Sequence, residues 1–357
     1  MQKLKETISK IEELDFSLME ETQKRLDTFT KPKGSLGRLE EITRQVVGIT
    51  KKRNPSFKNK VIFVTAADHG VTEEGVSAYP KEVTSQMVYN FIKGGAAINV
   101  LAQHVGARVV VVDMGVASKL QITNCKLQNF RDKKINYGTK NMVRGPAMTR
   151  REAIRAIEAG IEVFEEELSR GIDIVATGDM GIGNTTSSSA IASCLVGKSV
   201  RDLTGRGTGI SDEVFLRKIE IIEKAIRINQ PNPSDPVDVL SKVGGFEIGG
   251  LVGVILASVS KRVPVVIDGF ISGAAALIAC SLKKEVKDFL IAGHCSAEKG
   301  HKLILEYLGL SPLLNLDMRL GEGTGAALGI SIVEASIKLL TQMATFEEAG
   351  VSTKIGE

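Results

Sequence analysis

The stretch Thr177-Gly-Asp-Met-Gly-Ile-Gly-Asn-Thr-Thr-Ser-Ser-Ser-Ala190 decides how this chain is read. It closes an apolar run, Ile172 to Thr177, passes through a turn holding Gly181 and Gly183, and opens a helix of small residues. Glycine permits a tight turn and lets a ligand approach the backbone, and Asn184, Thr185 and Thr186 all suit a helix N-cap. Such a helix aims unpaired N–H groups and its positive dipole end at the turn, where a phosphate is the usual occupant. Asp179 beside that spot is expected to meet a cationic or N–H-bearing part of the ligand. A purely structural turn would use the same residues, and two glycines alone do not separate the readings.

Outward from this turn, β-branched runs alternate with helical stretches, the pattern of a parallel sheet covered on both faces. The expected strands are Lys60 to Ala66, Ala107 to Asp113, Ile172 to Thr177, Arg262 to Asp268, Asp288 to Gly293 and Leu313 to Leu320. The fold class is therefore α/β, a Rossmann-like open parallel sheet of about six strands with helices on both faces. Directly after these runs stand Asp68-His69-Gly70, Asp113-Met114-Gly115, Asp179, Asp268-Gly269, Gly293-His294 and Gly321-Glu322-Gly323. In open α/β sheets the ligand crevice lies outside the carboxyl ends of the strands, so these acids collect at one edge. Asp113 and Asp268 serve equally well as caps of the helices that follow. Residues 1–50 and 335–357 read as helices without strands and are expected to form a small helical subdomain beside a large α/β domain, 51–334.

Composition narrows the function. The 357 residues are 43% hydrophobic and 25% charged, which suits a large soluble globular domain. The net charge of +4 is spread along the chain, with no basic block interleaved with aromatics, so nucleic acid is not an expected partner. No leader-like apolar stretch opens the chain, and the longest apolar run, Ile248 to Val259, is too short to span a membrane. Cys125, Cys194, Cys280 and Cys295 are scattered, with no metal or redox spacing, which fits a reduced cytoplasmic protein.

The motifs narrow it further. Gly321-Glu-Gly-Thr-Gly-Ala-Ala-Leu-Gly329 formally satisfies the dinucleotide pattern, yet no strand with an acidic end follows it. No Walker loop occurs, and His69, His104, His294 and His301 form neither a zinc-hydrolase pair nor the partner of a serine elbow. His69 and His294 read as structural. Glu322, between two glycines at the ligand edge, is the best-placed general base, and partial burial would raise its pKa toward a useful range. A glutamate capping the following helix is the competing reading.

Five strings, Gly178-Asp-Met-Gly-Ile-Gly-Asn-Thr-Thr186, Thr204 to Ile210, Val243 to Gly253, Asp268 to Leu277 and Gly321 to Leu328, together resemble those of the nicotinate-nucleotide dimethylbenzimidazole phosphoribosyltransferase family. The resemblance runs from Lys31-Pro-Lys-Gly-Ser-Leu-Gly-Arg-Leu-Glu40 to the C-terminal helix. It implies transfer of the phosphoribosyl group of nicotinate mononucleotide to dimethylbenzimidazole with inversion, in cobalamin lower-ligand assembly, by a homodimer that uses no metal and no cofactor. Glu322 then matches the catalytic base. Gly181, Gly183, Asn184, Thr185, Lys218, Asp268 and Ser296 match phosphoribosyl-binding positions. Ser77, Tyr79, Gln86, Asp179, Met180 and Leu320 match the pocket for the aromatic base, with Asp179 standing where the family usually has glutamate.

Overall fold

A computed structural model describes residues 1–122, 127–207 and 209–353. Its strands are β1 (Lys60–Ala67), β2 (Ala107–Gly115), β3 (Phe130–Asp132), β4 (Ile174–Met180), β5 (Val265–Ile267) and β6 (Leu290–Ala292). They form one parallel sheet in the order β3-β2-β1-β4-β5-β6. The two central strands, β1 and β4, are apolar and buried along nearly their whole length because helices cover both faces. The strand order reverses between them, and their register sets Thr65 opposite Asp179 at the carboxyl end. A doubly wound sheet binds its ligand at such a switch point.

Five of the six expected strands are present, and the sixth is corrected. Leu313–Leu320 runs beside β6 through a single bridge, His294 with Leu314, and is otherwise irregular. Asp317 adopts φ +53°, which breaks an extended run, and Leu316 and Leu320 are exposed rather than paired into the core. The remaining strand is β3, three residues long and set against Val111 to Asp113 of β2. The expected strands before Asp268 and Gly293 shorten to three residues each, because Arg262 sits at φ +57° and a 3-10 turn, Lys284–Phe289, occupies the run before β6. β4 instead extends past Thr177 to carry Asp179 on the strand itself.

Helices Arg150–Leu168 and Phe246–Ser260 pack most closely beneath the sheet, backbone against backbone. A Cβ on Gly160 would overlap the Gly250 carbonyl oxygen, and one on Gly253 would overlap the Ile157 carbonyl oxygen. Near the termini, Leu26, Phe29, Val47 and Leu340 share a small apolar cluster, and Phe29 bridges Thr345. The first helix, Gln2–Ser9, lies instead against Arg150–Leu168, where the terminal amine of Met1 pairs with Glu158. Among the described residues one helix, Thr324–Gln342, is long and apolar enough to cross a membrane, and its Ala326, Ala327, Ile330 and Val333 are buried within the protein.

Cys194, Cys280 and Cys295 are free, and burial pushes the Cys194 thiol up to about 11 and the Cys280 thiol up to about 12. Cys125 lies outside the described residues.

The glycine crossing generates a stability prediction. Gly253→Val should destabilise the protein by about 3 kcal/mol or more, since backbone rather than a yielding side chain occupies the space. A thermal melt within about a degree of the parent would contradict this account of the packing.

Candidate active site

The turn after β4 is built by close approach. A Cβ on Gly181 would overlap the Ala67 carbonyl oxygen, and Gly183 takes φ +95° as N-cap of the helix Asn184–Val196. This helix opens onto a cavity of about 660 Å³ at the carboxyl edge of the sheet. Gly181, Gly183, Asn184, Thr185 and Ser296 line it, as do Ser77, Tyr79, Asp179, Met180, Leu320 and Glu322. Residues expected for the phosphoribosyl group and for the base therefore meet around one space.

At the end near the helix, Thr185 leads to Lys218. That lysine lies on helix Asp212–Asn229, only 1% exposed, and its Nζ donates to Thr185 Oγ1 at 2.8 Å and to the Gly205 carbonyl at 3.5 Å. Among the described residues it makes no ion pair with a carboxylate. Burial pushes its ammonium down to about 8, against the pull of the Glu298 carboxylate. Glu298, which lines the same cavity, compensates this buried cation only at a distance, and an anion entering beside Thr185 would relieve the remaining cost.

At the other end stands Glu322. Gly321, Glu322 and Gly323 take φ +80°, +62° and +93°, three successive left-handed residues. For the glutamate this costs roughly 1–2 kcal/mol, tolerated only where neighbours dictate it. The carboxyl accepts the Ile98 N–H at 3.4 Å, from the first turn of helix Ala97–His104. Burial raises its pKa, the Ile98 hydrogen bond opposes the rise, and the charge of Asp268 adds to it.

Asp179 lies 5% exposed between these ends. Its Oδ2 accepts from Asn184 Nδ2 at 2.9 Å, while Oδ1 has no partner. Its pKa is held well above the carboxylate range, first by burial, then by the charges of Asp268 and Glu247. Asn184 thus fixes Asp179 rather than capping its own helix.

Two expected positions are corrected. Asp268 does not face the cavity: it is fully buried behind it, accepting the Gly323 N–H at 3.2 Å and the Ala326 N–H at 3.0 Å. Gln86 is exposed on helix Glu82–Lys93 and does not line the cavity, because Val83 and Met87, one turn apart, take the inward face. The structure also adds Ile182, Phe270, Ile271 and Arg319, and Arg319 reaches across to donate to the Gly207 carbonyl at 3.0 Å. Phe270 and Ile271 carry no separate signal in the chain, since apolar residues beside a strand read as core.

His69 and His301 are structural in their contacts, whereas both ring nitrogens of the buried His294 lack a hydrogen-bond partner. His69 is held between Ser187 Oγ at 3.0 Å and Glu247 Oε1 at 2.7 Å. His301 Nδ1 accepts the Ser296 N–H at 2.9 Å, and burial pushes the ring down to about 3, so it is neutral. A second depression of about 600 Å³, lined by Arg144, Arg150 and Lys242, lies elsewhere, and these cations are paired with Glu73, Asp235 and Asp238. Among the described residues no group of three or more His, Cys, Asp or Glu is arranged to hold a metal ion.

One cavity that couples a buried lysine and a helix N-terminus to a buried carboxyl is the arrangement a phosphoribosyl transfer needs, and a family model described as phosphoribosyltransferase matches residues 11–351. The chain belongs to this phosphoribosyltransferase family. The nicotinate-nucleotide–dimethylbenzimidazole phosphoribosyltransferase of Desulforudis audaxviator is 57% identical over 352 residues, covering 99% of each chain. The enzyme of the same name from Geobacter metallireducens is 55% identical over 348 residues, or 98% of each. The crystal structure of the enzyme so named from Thermus thermophilus superposes with a TM-score of 0.90 at 40% identity, covering 96% of this chain and all of that one. The phosphoribosyltransferase fold is thus the six-stranded sheet described above.

The lysine generates a prediction. Sulfate, whose own charge is constant near neutral pH, should bind more weakly as pH rises through about 8, where Lys218 loses its proton. Calorimetric titration of the parent and of Lys218→Met measures this. A dissociation constant that stays flat across that range would detach Lys218 from the anion site.

Proposed function

We propose that the protein transfers the phosphoribosyl group of nicotinate mononucleotide to dimethylbenzimidazole, giving α-ribazole 5′-phosphate and nicotinate with inversion. The observation that carries this reading is the buried Glu322 carboxyl in the wall of a cavity that Thr185, itself hydrogen-bonded to Lys218, also lines. The names borne by the full-length relatives support the same pair of substrates.

The donor's nitrogen is part of a cationic pyridinium ring. As the bond from ribose C1′ to that nitrogen breaks, its electron pair neutralises the ring, so nicotinate leaves without a general acid. One azole nitrogen attacks C1′ from the opposite face, and the positive charge this creates is removed when Glu322 takes the proton from the other ring nitrogen. Lys218, through Thr185, and the N-terminal N–H groups of Asn184–Val196 grip the 5′-phosphate and hold C1′ in line. By analogy with glycosidases the ribose passes through an oxocarbenium-like state.

Asp179 and Met180 would face the flat base, with Ser77, Tyr79 and Leu320 at the mouth. Burial beside other acids raises the Asp179 pKa and so favours its protonated form, which would offer the base a hydrogen bond rather than a charge. The exposure of Tyr79 and Leu320, apolar side chains at 55% and 57%, supports a homodimer in which a second copy covers this rim. The free Cys194, Cys280 and Cys295 among the described residues support a cytoplasmic setting. In this reading 1–50 and 335–357 act together as a helical subdomain beside 51–334, with its first helix, Gln2–Ser9, docked on Arg150–Leu168 of the large domain.

Incubation with nicotinate mononucleotide and dimethylbenzimidazole should release free nicotinate. Glu322→Gln should bind both substrates while kcat falls about 10²- to 10⁴-fold. For the parent, kcat should drop on the acid side above the ordinary carboxyl value of 4.5, because Glu322 must be ionised and its pKa is raised. Parent-like turnover by Glu322→Gln would remove that residue from the role of base.

A further inference from the structure

We propose that Asp268 is a positioning residue for the transfer: reaching from the end of β5, it grips the N–H groups of the turn that bears Glu322 and keeps that carboxyl facing the cavity. The inference rests on Glu322 being the base, as proposed above.

The turn has reason to relax. A glutamate at φ +62° would return to ordinary backbone if nothing opposed it. Three strands oppose it together. From β4, Gly178 lies so close that a Cβ there would overlap the Glu322 carbonyl oxygen. From β6, the His294 ring lies where a Cβ on Gly325 would go. From β5, Asp268 Oδ2 accepts the Gly323 N–H and Oδ1 accepts the Ala326 N–H, with the amides of Gly325 and Gly269 also directed at the carboxyl. The contacts from β4 and β6 are steric and limit where the turn can move. Of these three strand contacts only that from β5 is a hydrogen bond; it orients the peptide that follows Glu322, while Thr324 closes the turn on the Gly321 carbonyl and the Ile98 N–H meets the carboxyl itself.

Asp268 has no route to the substrate, since its side chain is completely buried and absent from the cavity wall. An acid so placed is more than the cap of a helix requires, for a neutral asparagine or serine caps at less desolvation cost. The titratable groups around it are Asp179 at the end of β4, Glu322 in the turn, and His294, whose Nε2 is 3.6 Å from Asp268 Oδ1. Burial keeps His294 neutral near physiological pH, so no cation compensates Asp268 from that side. Burial pushes the Asp268 carboxyl itself up to about 7, and where it is ionised its charge adds to the burial that raises Asp179 and Glu322.

The test is a double-mutant cycle in the nicotinate-release assay. Asp268→Asn keeps the shape, replaces one acceptor by an amide and removes the charge. Its kcat should fall about 10- to 100-fold with the Michaelis constant for nicotinate mononucleotide within about threefold of the parent. Added to Glu322→Gln, the same change should alter the residual rate by less than about twofold, because there is no base left to position. Should Asp268→Asn fail to fold, Asp268→Glu carries the test: it keeps both acceptor oxygens and displaces the turn, so kcat falls while the Michaelis constant for nicotinate mononucleotide stays within about threefold of the parent. A loss as large in the Glu322→Gln background as in the parent, or parent-like kcat from Asp268→Glu, would overturn the positioning role and leave the proposed reaction intact. Parent-like turnover by Glu322→Gln alone would instead overturn the reaction reading on which it rests.

Discussion

The meeting of β4 with the turn at Gly321 to Gly323 is the constraint around which the site is organised. Two pieces of chain separated by more than a hundred residues touch main chain to main chain, at Gly178 and the Glu322 carbonyl, with no side chain between them. The contact exists because β4 adjoins β5 in the sheet, and β5 delivers the acid that holds the same turn. Cavity, base and anion-binding helix are all placed relative to that junction, since the helix Asn184–Val196 springs from the end of β4.

Electrostatically the cavity has two unlike ends. Near Lys218 a buried cation waits among hydroxyl and carbonyl groups, while around Asp179 several acids crowd one another and resist ionisation. Burial raises the pKa of the acids and lowers that of the lysine, so both ends carry less charge when empty than their side chains would in water. An anionic sugar phosphate and an aromatic N–H donor are the complements to this polarity. Such separation orients a substrate before any reaction begins.

The sheet was legible wherever a strand is long and apolar on both faces, as in β1 and β2, and its ligand edge followed from the acids and glycines at the strand ends. β3 was not legible, because three residues, Phe130–Asp132, have too little length for periodicity. Leu313–Leu320 failed for the opposite reason: its leucines alternate convincingly, but they belong to an exposed rim and to a segment interrupted at Asp317. In the site, residues announced by glycine or by a lone acid were found, whereas Val83, Met87 and Phe270 were hidden among ordinary core positions. Asp268 and Gln86 were placed in the right neighbourhood on the wrong side of a wall, since spacing gives the element and not the direction of a side chain.

Both borders of the sheet are short. β3 and β6 offer three residues each, one bearing Arg131 and Asp132 and the other flanked by the irregular Leu313–Leu320 segment. An incoming extended chain therefore finds no long row of free amides and carbonyls on which to zip itself. A fold whose central strands are almost wholly aliphatic would be prone to fibre growth if its margins were long, and here the truncated margins confine that stickiness to the interior.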